Sequence, residues 1–513
     1  MLTAADYQKI LADQDKGLLY LWLFVLLAFV CYAAFRLLTQ PIHPRPPVYP
    51  PGYKPELDKR PPSRPLFHIS AGAFELAIWL GGLLRWLLCT RPLWYDEAFT
   101  AAMVKAPDFS TALVGDVHPP GYYLIVRLFS AVLGTSEFAL RLPSLIAGMV
   151  LIYVVYRLAL SYTGDKQTAR LAGMLTALLP ALIQYSAEAR YPMLLALAAL
   201  SAVLAARENR PLLFTLCAGA CAWLHAVGIL YCGVLCLAAI VSRRWWACAV
   251  LAGILTLPCL LLALLQAHDV ADGFWLLDSN PLWHLIDMTI VRKKGSGLVI
   301  LLTYLPVMAV TLMALWHGRK WFREPFFAAL TVLPFLAWGI SLVWHPVYLS
   351  RTFIAPTLLL VMLWAVYLRH SWRARLAIAL TIILSTAALF APVETIQLDE
   401  VFQHCQGANT VYETSTHMAI NALYYSPAPV EVWSGGDGES QTLPDSSKRA
   451  MGMNVIDGMT GLHGNICIIE MVNYLTTAQE YAHIRAIEML YRPTVATIPF
   501  NGLMHYRVLR FHL

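Results

Sequence analysis

Charge is the scarcest commodity in this chain. Of its 513 residues only 13% are Asp, Glu, Lys or Arg, while 58% are hydrophobic, and the mean hydropathy is +0.59. A water-soluble domain carries about 25% charged residues, so a soluble globular enzyme is excluded and a polytopic membrane protein is expected. Internal repeats are lacking too, which speaks against the paired halves common in transporters. None of the ten cysteines stands at metal-ligand spacing, and six of them (Cys217, Cys221, Cys232, Cys236, Cys248, Cys259) fall in apolar runs, where they read as core filler. Only Cys405 and Cys467 lie in a stretch where an oxidising compartment would let them pair.

Apolar runs of span length or slightly less lie near 17–38, 69–89, 120–134, 143–160, 167–186, 190–206, 211–241, 245–266, 297–316, 326–344, 353–368 and 376–392. Each is read as a helix, because an isolated strand leaves its backbone unsatisfied in lipid. The first run is too long and too late for a cleaved signal peptide and is kept as a span. Basic residues in short loops mark the cytoplasmic side. Arg243 and Arg244, the group Arg319, Lys320 and Arg323, and the group Arg369, Arg373 and Arg375 all fall inside if the chain alternates from 245 onward. So does the Pro-rich linker 41–65. The Asp96 loop, the 267–296 loop, Arg351 and the C-terminal tail then face outward. This topology accounts for the net charge of +6, and no nucleic-acid partner is needed. Between His118 and Arg243 two arrangements give twelve crossings: a single long helix over 211–241, or a re-entrant 120–134 with two short helices in 211–241. The second is favoured, because it places Lys166, Arg170, Arg207 and Arg210 inside.

Three parts follow: an extra N-terminal span with its linker (1–66), a transmembrane core (67–392), and a small external α/β domain (393–513). In the tail, helical periodicity covers 411–425 and 478–491, and short β-like runs cover 430–433, 466–470, 495–499 and 506–511. Residues 435–438 and 446–452 read as loops.

The chemistry-bearing residues gather at the outer surface. Leu93-Trp94-Tyr95-Asp96-Glu97 follows the 69–89 helix. The segments 98–104 and 109–114 after it are apolar on one face, as in helices lying flat at an interface. A carboxylate held there suits a general base acting on a hydroxyl, although a solvated loop pair is the bland alternative. Asp116 and His118 precede Pro119-Pro120-Gly121-Tyr122, where Asp116 also reads as a helix cap. Glu188, Arg190 and Tyr191 form a polar step between two apolar runs; such residues are functional candidates or an internal ion pair. His225 is a lone polar residue in a long apolar run and reads first as a satisfied core histidine. Arg292, Lys293 and Lys294 are outward cations against the positive-inside trend, which an anionic ligand such as a lipid phosphate would explain. Arg351, close after Tyr348, fits a phosphate bidentately. Glu97, Asp116 and His118 are the only metal candidates, and metal dependence stays open.

Taken together these segments resemble the integral-membrane glycosyltransferases of the C superfamily (GT-C), in particular family 39, which holds protein O-mannosyltransferases and lipid A aminoarabinose transferases. The resemblance rests on Trp94-Tyr95-Asp96-Glu97, on Asp116 through Tyr123, on Arg141-Leu142-Pro143-Ser144, on Tyr185 through Tyr191, on Leu224-His225 and on Tyr348 through Pro356. It spans residues 69 to about 392. It implies an all-α membrane fold of about twelve transmembrane helices with a small extracytoplasmic α/β domain. The implied activity is transfer of a sugar from a polyprenyl phosphate, undecaprenyl phosphate in bacteria, to a protein, lipid or glycan acceptor with inversion. The site would face the periplasm from the inner (plasma) membrane. Asp96 would be the base and Glu97 its neighbour. Asp116, His118, Tyr122, Glu188, Arg190, Tyr191 and His225 would line the donor and acceptor sites. Arg292, Lys293, Lys294, Tyr348 and Arg351 would hold the carrier phosphate. A phosphate-linked donor needs no Gly-rich phosphate loop, and none is present. The Trp-Trp-Asp signature of oligosaccharyltransferases is absent, since Ala247 follows Trp245-Trp246. Residues 1–66 are an addition to the family core, suited to anchoring or to a membrane partner. A transporter or lipid flippase, and a structural subunit that keeps this fold without activity, are the competing readings.

Overall fold

The computed structural model describes residues 68–513 apart from 243–244, 271–296, 344–346, 391–397, 427, 435–442, 460, 473–477 and 502–503. The expected span at 17–38 and the cations Arg292, Lys293 and Lys294 lie outside the described residues. The first described helix, α1 (Ala71–Cys89), starts at Ser70, whose hydroxyl accepts from the Ala73 amide at 3.0 Å, the usual N-terminal cap. Two short helices follow on the same side, α2 (Tyr95–Lys105) and α3 (Phe109–Val114), and then α4 (Gly121–Leu133), α5 (Glu137–Thr163), α6 (Lys166–Leu178), α7 (Pro180–Ser186) and α8 (Pro192–Arg207). The run continues through α9 (Pro211–Leu224), α10 (Gly228–Val241), α11 (Trp246–Val270), α12 (Gly297–Gly318), α13 (Pro325–Val343), α14 (Ile354–Leu368) and α15 (Trp372–Phe390). A 3-10 turn over Ser350–Phe353 leads into α14.

Among the described residues six helices are long and apolar enough to cross a membrane, and α4, α8, α9 and α10 are shorter apolar helices. The chain is a multi-pass membrane protein. α5 and the Ser350–Leu368 segment run through the middle of the bundle. By contrast α11 and α15 expose Leu251, Ile254, Leu261, Leu380 and Ile383, as helices facing hydrocarbon do.

The 211–241 run is divided, as the favoured of the two arrangements has it, and the expected single span 167–186 is broken. The 211–241 run divides at His225 into two helices of 14 residues, and α4 has 13. Each is about 20 Å long, short of the ~30 Å hydrocarbon layer. The 167–186 run breaks at Pro180, which cannot donate an amide to the Thr176 carbonyl. Arg85, fully buried on α1, fills the gap: it donates to the carbonyls of Thr176 (3.0 Å), Ala177 (2.6 Å) and Gly81 (2.9 Å) and to the Ser186 hydroxyl (3.1 Å). Gly81 is required at this crossing, because a Cβ there would collide with the Ala177 carbonyl.

Beyond α16 (Leu398–Gln403) the chain builds a six-stranded sheet with interleaved helices: β1 (Thr410–Glu413), α17 (Thr416–Tyr425), β2 (Val430–Trp433), α18 (Asp445–Ala450), β3 (Asn454–Ile456), β4 (Asn465–Val472), α19 (Ala478–Tyr491), β5 (Thr494–Asn501) and β6 (Met504–His512). The strand order is β3-β2-β1-β4-β6-β5. The first four strands are parallel, and β6 runs antiparallel between β4 and β5. The expected α/β tail is borne out with two corrections. Residues 411–425 are a strand and then a helix, because apolar Val411-Tyr412 continues a buried sheet before the Ser415 cap starts α17. The expected loop at 446–452 opens instead with helix α18.

One sheet face, with Tyr412, Ile466, Ile468 and Leu509, packs under Ile484 and Ile487 of α19. The other, with Val411, Val430 and Val432, belongs together with Met418 of α17 to the same continuous apolar core as the membrane helices. The tail is therefore welded to the bundle. A disulfide joins Cys405 to Cys467, 62 residues on.

Candidate active site

The site is built where α1 ends and α2 begins. Leu93 and Trp94 leave α1 in extended backbone, and the first turn of α2 carries Asp96 and Glu97. One hundred degrees apart on a helix, the two carboxylates point to different surroundings. Glu97 turns inward and is 1% exposed. Arg141 on α5 grips it with two parallel bonds, Nε to Oε1 at 2.7 Å and Nη2 to Oε2 at 2.6 Å, and the Ala189 amide donates to Oε1 at 2.7 Å. Arg141 also donates to the carbonyls of Cys89 (2.9 Å), Arg91 and Pro92 (2.9 Å). This buried pair ties together the end of α1, the start of α2, α5 and the 187–190 turn.

Asp96 faces the open side. Arg351 Nη2 lies 2.5 Å from its Oδ2, and Arg190 Nη2 lies 3.6 Å from the same oxygen. Arg190 also donates to the Asp96 carbonyl at 3.1 Å. Burial would raise the Asp96 carboxyl, but the two guanidinium groups outweigh it and hold it below the ordinary carboxylate range. Two cations thus bracket one carboxylate, and the Nε atoms of Arg190 and Arg351 have no hydrogen-bond partner among the described residues. Arg351 stands 5.5 Å above the Trp94 ring.

Arg190 connects this corner to the second acidic turn. Its Nη2 is 3.4 Å from His118 Nε2, His118 Nδ1 is 3.1 Å from Asp116 Oδ1, and the Tyr123 hydroxyl donates to Asp116 Oδ2 at 2.8 Å. Burial works against the Asp116 charge, yet His118 and Tyr123 hold its carboxyl below the usual value. Gln266 on α11 fixes the loop from outside, donating to the carbonyls of Leu113 (2.9 Å) and His118 (3.3 Å). Tyr191 stacks on His225 at 3.9 Å, and the His118 ring lies 5.1 Å from His225. His225 sits in the break between α9 and α10, its Nδ1 accepting from the Val227 amide at 3.1 Å, and burial keeps its imidazole well below its normal value, hence neutral.

Glu188 is a fourth carboxyl at the site's edge. Gln184 donates to its Oε1 at 3.0 Å, while its Oε2 is buried without a partner among the described residues. Burial first, and then the Glu97 charge, push it up to about 7. Tyr122 turns away from this group: its hydroxyl lies 3.3 Å from Ser144, which itself donates to the Arg190 carbonyl at 2.8 Å. Tyr348 is buried against Phe353, ring centroids 5.2 Å apart. Among the described residues no three His, Cys, Asp or Glu side chains gather to hold a metal; Glu97 is taken up by Arg141, apart from the Asp116–His118 pair.

Sequence reasoning gave Arg141 and Arg85 no role, although an arginine inside an apolar run is itself a signal. It also expects α2 and α3 to lie flat at the membrane interface, and gave no sign that the tail packs against both. α17 packs on α2, where the Leu93 amide donates to the Tyr425 hydroxyl at 2.6 Å and the Tyr424 hydroxyl donates to the Thr135 carbonyl at 3.0 Å. α18 packs on α3, where the Asp108 amide donates to the Ala450 carbonyl at 3.2 Å. His417, in the first turn of α17, stacks on Tyr95 with centroids 3.9 Å apart and planes 15° apart.

Comparison with known proteins places this arrangement. Residues 117–267 match the family described as dolichyl-phosphate-mannose-protein mannosyltransferase. No curated protein sequence matches the chain. The solved structure of ArnT from Cupriavidus metallidurans in the apo state superposes with a TM-score of 0.55 at 13% identity, covering 86% of this chain and 98% of that one. The same protein bound to undecaprenyl phosphate superposes with a TM-score of 0.55 at 12% identity, with the same coverage of both chains. The fold of this chain is therefore similar to that of ArnT, and its 117–267 segment resembles the mannosyltransferase family.

Proposed function

We propose that this protein transfers a sugar from a polyprenyl phosphate carrier to an acceptor hydroxyl at the outer face of the membrane, with inversion. The observation that carries the reading is Asp96 held between Arg351 and Arg190, each with a donor left over. A guanidinium that pairs with a carboxylate can pair equally with a phosphate. The ArnT relative of this fold is seen with undecaprenyl phosphate bound, and the positive-inside pattern of the loops supports an outward site.

In this scheme the donor phosphate enters beside Asp96 and draws Arg351 onto its oxygens. That weakens the ion pair which now depresses Asp96, so the carboxylate gains basicity as the donor arrives. The acceptor oxygen attacks the anomeric carbon from the face opposite the phosphate. Its proton passes to Asp96, the bond between the anomeric carbon and the phosphate oxygen breaks, and polyprenyl phosphate leaves with the electron pair. Arg351 and Arg190 neutralise the charge developing on the leaving phosphate. Glu188, protonated up to about pH 7, can donate a hydrogen bond to a sugar oxygen. Glu97 serves the site as an anchor through Arg141. Any contribution of Arg292, Lys293 and Lys294 would add to the same phosphate site.

The test is binding of undecaprenyl phosphate to the purified full-length protein in nanodiscs. Arg351→Ala is expected to weaken binding about tenfold or more, as for loss of a charge-assisted bidentate contact, while Asp96→Asn binds at least as well as wild type. Equal binding by wild type and Arg351→Ala would remove the support for this reading.

A further inference from the structure

Three of the four residues 94–97 are each held by a different part of the molecule. Trp94 lies under Arg351 at 5.5 Å, Tyr95 is stacked by His417 at 3.9 Å, and Glu97 is clamped by Arg141. Asp96 alone is left facing the site. Two of the three clamps come from the membrane core, but the one on Tyr95 comes from the C-terminal domain. Ser415 caps α17, its hydroxyl accepting from the Met418 amide at 3.3 Å, and this sets His417 in the first turn with a fixed direction. His417 follows the carboxyl end of β1. With strand order β3-β2-β1-β4, that is the point where the order reverses, the place from which open α/β sheets present ligand-contacting residues. Here that end of the sheet is aimed at the Asp96 turn.

We propose that His417 is a positioning residue for Asp96: its ring, stacked on Tyr95, fixes the first turn of α2, so that the C-terminal domain is a working wall of the active site. This role rests on the transferase reading for its catalytic meaning, while the stack itself is independent of it. Burial first pushes the His417 imidazole down to about 4 against the opposing pull of Asp96, so a neutral ring lies beside the carboxylate. It leaves the Asp96 charge to Arg190 and Arg351 and acts by shape. The flanking contacts keep the stack in register: Lys105 lies 4.7 Å over the Tyr424 ring, and the Tyr425 hydroxyl takes the Leu93 amide one residue before Trp94.

The experiment uses full-length protein in nanodiscs and reads modification of Asp96 by dicyclohexylcarbodiimide, quantified by peptide mass spectrometry at one fixed pH. Wild type, His417→Ala, His417→Phe, Tyr95→Ala and the double variant His417→Ala with Tyr95→Ala are compared, and undecaprenyl phosphate binding is measured in parallel. His417→Ala is expected to label Asp96 about fivefold faster, the size expected for losing one ring-on-ring contact. His417→Phe, which keeps a stacking ring, should return to the wild-type rate. The double variant should label no faster than either single one, because both remove the same contact. Unchanged labelling in His417→Ala, failure of Phe to restore it, or additive effects in the double variant would each overturn the proposal. Should His417→Ala not fold, the Phe and Tyr95→Ala arms still decide. Failure of wild type to bind undecaprenyl phosphate would sink the transferase reading and leave the labelling result to judge His417.

Discussion

Three of the four carboxyls within one site show how differently such groups behave according to what surrounds each. Asp96 is kept charged by two arginines, Glu97 is satisfied by a bidentate arginine, and Glu188 is buried beside another carboxylate with one oxygen unpaired. Sequence could name all three, since each stands at the end of an apolar run. It could not rank them: Arg141 is 44 residues from Glu97 and Arg351 lies far beyond Asp96 in the chain, and no periodicity links such pairs. A stability prediction follows from Glu188. Its folded value of about 7 lies above the ordinary carboxyl value of 4.5. The neutral form is therefore favoured by folding, and its contribution is full below about pH 4.5 and is lost as pH rises through about 7. Glu188→Gln, neutral at every pH, should gain on wild type by about 3 kcal/mol across that window and then run parallel. Thermal midpoints of both proteins from pH 4 to 8 check this; a constant difference would mean that Glu188 is not held neutral.

At the level of elements, the breaks in apolar runs make the site. Pro180 ends α6, His225 divides α9 from α10, and the Asp116 turn ends at Pro119-Pro120. Each break leaves polar backbone near Asp96 or its supporting shell, and side chains such as Arg85 satisfy it. Apolar runs were legible as helices, because composition dictates them in lipid. Where they break is less legible: the sequence reads 167–186 as one span although Pro180 interrupts it, and at 225–227, where no proline intervenes, only the placement of the basic residues favours the divided run. The docking of α18 on α3 is another feature no local pattern carries. It depends on Gly115, where an added Cβ would run into the Ser447 hydroxyl. Gly115→Ala is expected to lower stability by about 1–3 kcal/mol, the cost of overpacking, and Ser447→Gly in the same chain should restore most of it. Thermal unfolding in detergent of the single and double variants measures the coupling; no rescue would mean that α18 does not sit against this turn.

On the scale of the whole molecule, the membrane bundle and the α/β tail share one core, so the tail completes the site rather than hanging from it. The sequence announced the tail by its change of composition after Pro392 and named most of its strands. It gave no sign of which face meets the bundle, since both sheet faces are apolar and only the partner tells them apart. The Cys405–Cys467 bond closes a 62-residue loop and should stabilise the tail by about 4 kcal/mol on a chain-entropy model. Cys405→Ser, or reduction of wild type, is expected to raise proteolysis of the tail and to lower activity with it. Intact activity on a cleaved tail would contradict the composite site.

The central claim is that Asp96 takes the acceptor proton in transfer from a polyprenyl phosphate sugar. Mass spectrometry of lipids co-purified with wild type and with Asp96→Asn tests it most directly. The amide keeps the shape of the site and removes the base, so the glycosylated carrier should accumulate on Asp96→Asn while wild type retains mainly the free polyprenyl phosphate. If neither protein carries any polyprenyl lipid, the claim is contradicted and a transport or structural role takes its place.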